Sequence, residues 1–339
     1  MAERASLKRK NSIVNQRAAF GAILFLAACG GSEEVPVNQG PDSVSTPVVW
    51  QTERFDTGLT TLSVSPSGEA VFLVGLENEG LKFTNIDGTA ISEAAPYRNG
   101  ISSTGVTAQI DGTYLVLFPG VSRNSDQIVV VVHGDGLLAP IEVELDVDVT
   151  GSVEGVCASR SQDDGSIMNI GYWTSVDPTS LYTGSVGAEG TNFTFTPGDI
   201  ESYERDVTGC ALTDSATIAS GRFGIDIRAE GSEPVLIDMP GVPTSVSAVS
   251  DGNDTNVAMA MSGGEVYVAN SDGNFSRVEF EAGLSATGPE DVRYLVMTQR
   301  ADIPGFSSGF LAMDARGADR TSQIVIADYE DLFRQLSDN

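Results

Sequence analysis

Six times along this chain an alternating apolar run meets a tight turn and resumes beyond it, and nothing constrains the fold more than that recurrence. The clearest unit is Leu62-Ser63-Val64-Ser65-Pro66-Ser67-Gly68-Glu69-Ala70-Val71-Phe72-Leu73-Val74, a strand, a turn and a second, more apolar strand. A near copy occupies 106–117 around Asp111-Gly112, and looser copies turn at Asp164-Gly165, Asp214-Ser215, Asp251-Gly252 and Pro304-Gly305. Period-two alternation broken by Asp-Gly pairs is the pattern of antiparallel hairpins. The turns at 68, 112, 165, 215, 252 and 305 lie about 47 residues apart on average, and a four-stranded propeller blade takes about 40 to 50. Six units over residues 48–339 therefore predict an all-β fold, a six-bladed β-propeller. A β-sandwich, the alternative, requires neither six copies nor a blade-sized period. The closing run Gln323-Ile324-Val325-Ile326-Ala327 is expected to pair with a strand around Val48-Val49-Trp50 and complete a ring.

Ahead of the repeats the chain has another character. Arg4, Lys8, Arg9, Lys10 and Arg17 face a single acid, Glu3, within the first seventeen residues. An uncharged run over 18–28 then stops at Cys29. At ~1.5 Å per residue that run covers roughly 16 Å, about half of a bilayer's hydrocarbon core. A basic flank, a short apolar segment and small residues at its end are the anatomy of a signal peptide, assigned here to residues 1–28. Leu26-Ala27-Ala28-Cys29 resembles the bacterial lipobox, which implies cleavage before Cys29, lipidation of that cysteine and a membrane as partner. The alternative is an ordinary secretory signal with Cys29 incidental. Each buried methylene of an acyl chain contributes ~0.8 kcal/mol, so several long chains hold firmly. Gly30 rather than an aspartate follows the cysteine, which in that resemblance favours the outer over the inner membrane of the cell envelope. Residues 29–47 read as the lipidated N-terminus and a Gly-, Pro-, Ser- and acid-rich flexible linker.

Removing residues 1–28 takes away five bases and Glu3, so 19 bases and 47 acids become 14 and 46, a formal charge of −32. Lys82 is then the one remaining lysine. Such a field opposes nucleic acid and anionic lipid as partners and suits cations or plain solubility. Cys157 and Cys210 are either a disulfide, which an oxidising compartment permits, or two buried free thiols. They lie 53 residues apart, about one repeat, in matching strands. His133 is the one histidine, so a multi-histidine metal site is excluded, and no Gly-x-Ser-x-Gly elbow flanks it for a hydrolytic triad. Asp163-Asp164-Gly165-Ser166 and Asp251-Gly252-Asn253-Asp254 have the look of calcium loops but lack the closing glutamate, and read as hairpin turns.

Several segments resemble the β-propeller phytases, calcium-dependent enzymes that remove phosphate from inositol hexakisphosphate. Glu79-Gly80-Leu81-Lys82-Phe83-Thr84-Asn85-Ile86-Asp87-Gly88 is similar to that family's Gly-Leu-Tyr-Val-Tyr-Asp-Leu-Asp-Gly. Gly155-Val156-Cys157-Ala158 resembles its Tyr-Gly-Leu-Cys strand, and Thr208-Gly209-Cys210-Ala211-Leu212-Thr213-Asp214 its Pro-Glu-Gly-Cys-Val-Ala-Asp. Phe223-Gly224-Ile225 matches a Val-Gly-Ile-Trp, and Gly309-Phe310-Leu311-Ala312-Met313-Asp314 with Ile324-Val325-Ile326-Ala327-Asp328-Tyr329 matches the closing blade. The order is preserved and the matches span most of residues 50–332.

The departures fall where the resemblance puts the chemistry. The family's Asp-Asp-Pro-Ala-Ile-Trp has no counterpart at Val48-Val49-Trp50-Gln51-Thr52. Its glutamate before Gly-Cys is Thr208, its Glu-Glu-Asp is Ser220-Gly221-Arg222, and its Val-Glu-Gly-Leu falls within Pro243-Thr244-Ser245-Val246. Of its Asp-Gly-Glu-Asn only Asp314 survives, a candidate metal ligand, followed by Ala315, Arg316 and Gly317. Calcium requires six to eight oxygens, several of them carboxylate. Arg98 and Arg123 lie where the family places phosphate-binding bases; the alternative is two exposed surface arginines. The expectation is a monomeric lipoprotein that keeps the propeller and binds an unidentified ligand or envelope protein with catalysis lost or weakened. The alternative is a calcium-dependent phytase, with calcium its cofactor.

Overall fold

The computed structural model describes residues 42–96, 100–134, 136–162, 165–189, 192–252, 254–283, 286–317 and 320–337. Cys29 and Arg98 lie outside the described residues. Twenty-three strands and one helix are described. They are β1 (Ser43–Gln51), β2 (Leu59–Val64), β3 (Phe72–Leu76), β4 (Gly80–Thr84), β5 (Val106–Ile110), β6 (Thr113–Val121), β7 (Ile128–Gly134) and β8 (Ile141–Glu144). Then follow β9 (Val153–Arg160), β10 (Met168–Thr174), β11 (Ser180–Glu189), β12 (Asn192–Ser202), β13 (Val207–Leu212), β14 (Ala216–Gly221), β15 (Gly224–Ala229) and β16 (Val235–Ile237). The last are β17 (Pro243–Asp251), β18 (Asp254–Met261), β19 (Val266–Asn270), β20 (Phe275–Glu281), β21 (Leu295–Thr298), β22 (Phe310–Arg316), β23 (Ser322–Asp328) and α1 (Tyr329–Ser337).

Each turn read from the sequence joins the first two strands of an antiparallel run: β2–β3, β5–β6, β9–β10, β13–β14, β17–β18 and β21–β22. The tightest shows why Asp-Gly stands there. Ile110 pairs with Thr113, leaving Asp111 and Gly112 as a two-residue loop with φ of 49° and 83°. Two positive φ values in succession are the type I′ hairpin, which suits the right-handed twist of the flanking strands and which Asp-Gly adopts at little cost.

Hydrogen bonding gathers the strands into five sheets. One is three-stranded (β2–β4), three are four-stranded (β5–β8, β9–β12 and β13–β16), and one has eight strands in the order β17-β18-β19-β20-β1-β23-β22-β21. Six separate four-stranded sheets are thus not what the chain forms. The cause is β1, which changes partner midway. Residues 43–47 run parallel to residues 277–281 of β20. From Val48 onward the strand runs antiparallel to β23, Val48 opposite Ala327 and Gln51 opposite Val325, which is the terminal pairing expected from the sequence. The change falls at Pro47, which has no N–H to give to a ladder. The stretch read as flexible linker therefore ends sooner than residue 47, because Val44, Thr46 and Val48 alternate into the interior.

The sheets are arranged in a propeller-like ring. β9 touches β13, β13 touches β17, β17 touches β21, and β21 touches β2. Val64 of β2 bridges to Thr104 just before β5, and β5 touches β9. Apolar clusters fill the spaces between neighbours, as faces of stacked sheets must. Phe72 and Val74 meet Phe310 and Ile324 in one such layer, with the Phe72 and Phe310 rings edge-on at 5.9 Å. Arg300 fastens the same junction. It is 8% exposed, and its Nε and Nη2 donate to the two oxygens of Asp302 at 2.9 and 2.8 Å. Nη1 reaches the carbonyls of Ser65 and Ala70, and Nη2 that of Gly68, at 2.7 to 2.9 Å. A planar guanidinium with several fixed donors meets this set of carbonyls in a way a lysine ammonium does not.

Helix α1 was not expected from the repeats. The Asp331 N–H donates to the Asp328 carboxylate at 3.1 Å, an N-cap. Tyr329, Leu332, Phe333 and Leu336 are buried at helical spacing within the cluster that holds Val44, Val48 and Val325. Gln335 adds a polar clamp on β1, giving Nε2–H to the Ser45 carbonyl at 2.8 Å and accepting the Ser45 N–H at 3.2 Å.

Candidate functional site

At the axis of the ring the first strands of successive runs surround a cavity of about 330 Å³. Its polar lining comes from Thr60 and Thr61 of β2, Ser103 ahead of β5, Glu154 of β9, Thr208 of β13, Thr244 and Ser245 of β17, and Tyr294 ahead of β21. Hydroxyls thus ring the funnel, and Glu154, exposed to solvent, is the one acid in its lining among the described residues. Gly155 has a reason for its identity: a Cβ there would run into the ring of Trp173, which packs on Cys157 and Cys210 beneath the wall.

One of these hydroxyls, with two more just off the lining, holds neighbouring sheets together. Ser245 Oγ donates to the Leu295 carbonyl at 3.3 Å and accepts the Leu295 N–H at 3.2 Å, joining β17 to β21. Ser247 Oγ accepts the Met297 N–H at 2.9 Å, and Ser63 Oγ donates to the Ser102 carbonyl at 2.6 Å. Thr208 Oγ1 lies 3.4 Å from the carbonyls of Ser220 and of Pro243, at the weak end of hydrogen bonding. Among the described residues Thr60 Oγ1 and Ser220 Oγ have no hydrogen-bond partner. Thr208, and Thr244 to Val246 of the segment in which the phytase resemblance sets Val-Glu-Gly-Leu, therefore do line one funnel, and Ser245 serves as inter-sheet stitching.

The other residues singled out in the sequence are scattered. Asp314 is 1% exposed and lies off the funnel lining. Its Oδ1 accepts the N–H groups of Arg293 and Tyr294 at 2.7 and 2.9 Å, while Oδ2 has no partner among the described residues. Burial pushes this carboxyl above the usual carboxylate range, against the pull of those two N–H groups. Arg123 is exposed in the turn between β6 and β7. Arg222 is exposed as well, and Arg316 is paired with Glu77 at 3.3 Å beside a separate cavity of about 260 Å³. Cys157 and Cys210 form a disulfide between β9 and β13, with Cα atoms 5.7 Å apart. His133, on β7, stacks on Phe83 at 4.4 Å, and burial lowers its pKa.

Calcium does not fit this funnel. Among the described residues the lining provides one carboxylate and a set of neutral hydroxyls, where a hard dication takes six to eight oxygens with several charges among them. Among the described residues no three His, Cys, Asp or Glu side chains converge as a metal would require. Sequence reasoning passed over two other places. One is Arg228, which forks onto Asp226 at 3.1 and 3.0 Å, bonds Glu201 at 3.1 Å and lies 4.3 Å over the Tyr203 ring. Those bonds leave it a pin between β12 and β15. The other is an aromatic cleft beside β10, β11 and β12, whose signal was present as Tyr172, Tyr182 and Phe195 on paired strands.

Fold and site together define an all-β protein of propeller-like architecture with a polar axial funnel. Among solved structures, BBS1N in complex with ARL6DN is similar at a TM-score of 0.50 and 11% identity, over 84% of this chain and 98% of that one. Hydrazine synthase of Kuenenia stuttgartiensis is similar at 0.47 and 14% identity, over 84% and 81%. An alpha-L-arabinanase of Penicillium chrysogenum is similar at 0.46 and 10%, over 84% and 99%. At 11% identity the likeness to BBS1N shows the fold alone. No family model and no curated protein matches the sequence.

Proposed function

We propose that this chain is a lipid-anchored protein of the bacterial envelope, built on a phytase-like six-bladed β-propeller, that binds a ligand or envelope partner without hydrolysing inositol hexakisphosphate. The blade count treats the eight-stranded sheet as two blades sharing β1: β17–β20 with its first half, and β21–β23 with its second. The four smaller sheets supply the rest. Support for the phytase likeness is the preserved order of segments, with the Gly155 and Gly209 motifs on the innermost strands β9 and β13.

The observation that carries the binding reading is the funnel's lining. A polyanionic substrate on a chain with a formal charge of −32 after cleavage needs a bridging set of cations or bases. Among the described residues the funnel has a lone carboxylate and hydroxyls, without a base in its lining. Activation of a metal-bound water would need ligands that Thr208, Ser220 and Arg222 do not supply. Given millimolar calcium and inositol hexakisphosphate, the purified protein is expected to release phosphate no faster than a heat-killed control. Turnover that depends on calcium and stops on chelation would overturn this reading. The anchoring half is tested separately. Among the described residues no helix is long and apolar enough to cross a membrane, and Cys29→Ala is expected to move the protein out of the membrane fraction. Retention of that variant on membranes after high salt would remove the lipoprotein claim.

A further inference from the structure

The segment after β8 and the face of β10, β11 and β12 enclose a cavity of about 470 Å³, within the size range of small-molecule sites. One wall is aromatic. The register sets Tyr172 directly opposite Tyr182, so both project from one face of the sheet and stack, with centroids 5.2 Å apart and 18° between planes. Phe195 meets Tyr172 edge-on at 6.4 Å. The rim is acidic: Asp146, Asp148 and Asp199 are exposed around it, and no basic side chain lines it among the described residues.

Tyr172 marks the cavity as more than a gap between sheets. It is 7% exposed and lines the cavity, yet its O–H has no hydrogen-bond partner among the described residues. Its neighbour Tyr182 differs, donating its O–H to Asp177 Oδ2 at 2.8 Å. The ring is buried while its O–H is left to the space of the cavity, where a ligand oxygen would accept its hydrogen bond. Burial and the nearby Asp148 carboxylate both raise the Tyr172 pKa, which keeps it a neutral donor.

Aromatic faces attract cations through their quadrupole, most strongly cations that shed water easily, and carboxylates at the rim add to the pull. A bare metal ion is a poor match, because the three aspartates ring the opening and do not converge. We propose that this cleft binds a small organic ammonium cation bearing a hydroxyl, its methylated nitrogen against Tyr172, Tyr182 and Phe195 and its oxygen at the Tyr172 O–H. The inference stands apart from the phytase-like reading, since it uses neither the funnel nor calcium.

Calorimetric titration of the purified full-length chain with choline, and with its uncharged isostere 3,3-dimethylbutan-1-ol, tests it. Choline is expected to bind at one saturable site, with the isostere weaker by about tenfold or more, a difference of about 1.4 kcal/mol. Asp148→Asn, at an exposed position where folding is undisturbed, should weaken choline several-fold. Tyr172→Phe should weaken choline and leave tetramethylammonium, which has no oxygen, unchanged. Absence of saturable choline binding, equal binding of the isostere, or choline affinity untouched by Asp148→Asn would each overturn the proposal.

Discussion

Asp314 on β22 and Asp302 in the loop before it show how two carboxylates of one hairpin respond to pH in opposite directions. Asp314 is buried with one oxygen unpartnered, and its pKa is raised by that burial. Its folded form keeps its proton after the unfolded form has lost it, so the stability it contributes is full below the ordinary carboxyl range. That contribution is lost as pH rises toward the folded pKa. Asp302, held low first by its hydrogen bond to Arg300, contributes above the ordinary range and loses that contribution as pH falls. Asp314→Asn keeps the acceptor for the Arg293 and Tyr294 N–H groups and removes the buried charge. It is expected to be at least as stable as the parent at neutral pH, with a flatter rise in stability on mild acidification. Asp314→Ala leaves both N–H groups without an acceptor and should cost about 1–3 kcal/mol. Urea unfolding at a series of pH values checks both.

Among the elements, the hairpins were legible and the closing helix was not, for reasons that are local in one case and long-range in the other. Asp111-Gly112 fixes its turn through two residues' own φ preferences, and no distant partner is needed. Helix α1 had its signals in the open, with Asp328 as cap and Tyr329, Leu332, Phe333 and Leu336 at helical spacing. They were hidden because the strand β23 runs into the helix without a break, so Asp328-Tyr329 read as the end of a strand. The partner change in β1 has no local signal beyond the alternation of Val44, Thr46 and Val48, since it depends on residues 277–281 far along the chain. Leu332, fully buried beside β1, is where the helix can be probed. Leu332→Ala should cost about 2–5 kcal/mol, the range for emptying a packed leucine site, read as a lowered denaturant midpoint.

For the whole molecule, repeat spacing foretold an all-β ring-like assembly, while the separation into sheets depended on one strand that the spacing does not describe. The funnel was partly legible, because the resemblance had pointed to Thr208 and to the segment Pro243-Thr244-Ser245-Val246. The aromatic cleft was not, because Tyr172, Tyr182 and Phe195 come together only through the register of β10, β11 and β12. The Cys157–Cys210 bond closes a loop of 53 residues, for which the chain-entropy account gives about 4 kcal/mol. Thiol labelling of unfolded, unreduced protein should therefore find both cysteines blocked, and reduction should lower the melting temperature. The divided loyalty of β1 also has a mechanical side. A pull transmitted through the chain ahead of Asp42 enters at Ser43 and runs along a strand bonded first to β20 and then to β23. That loads both ladders in shear, many bonds sharing the force at once, so the protein resists tugging at this end better than peeling at an edge strand.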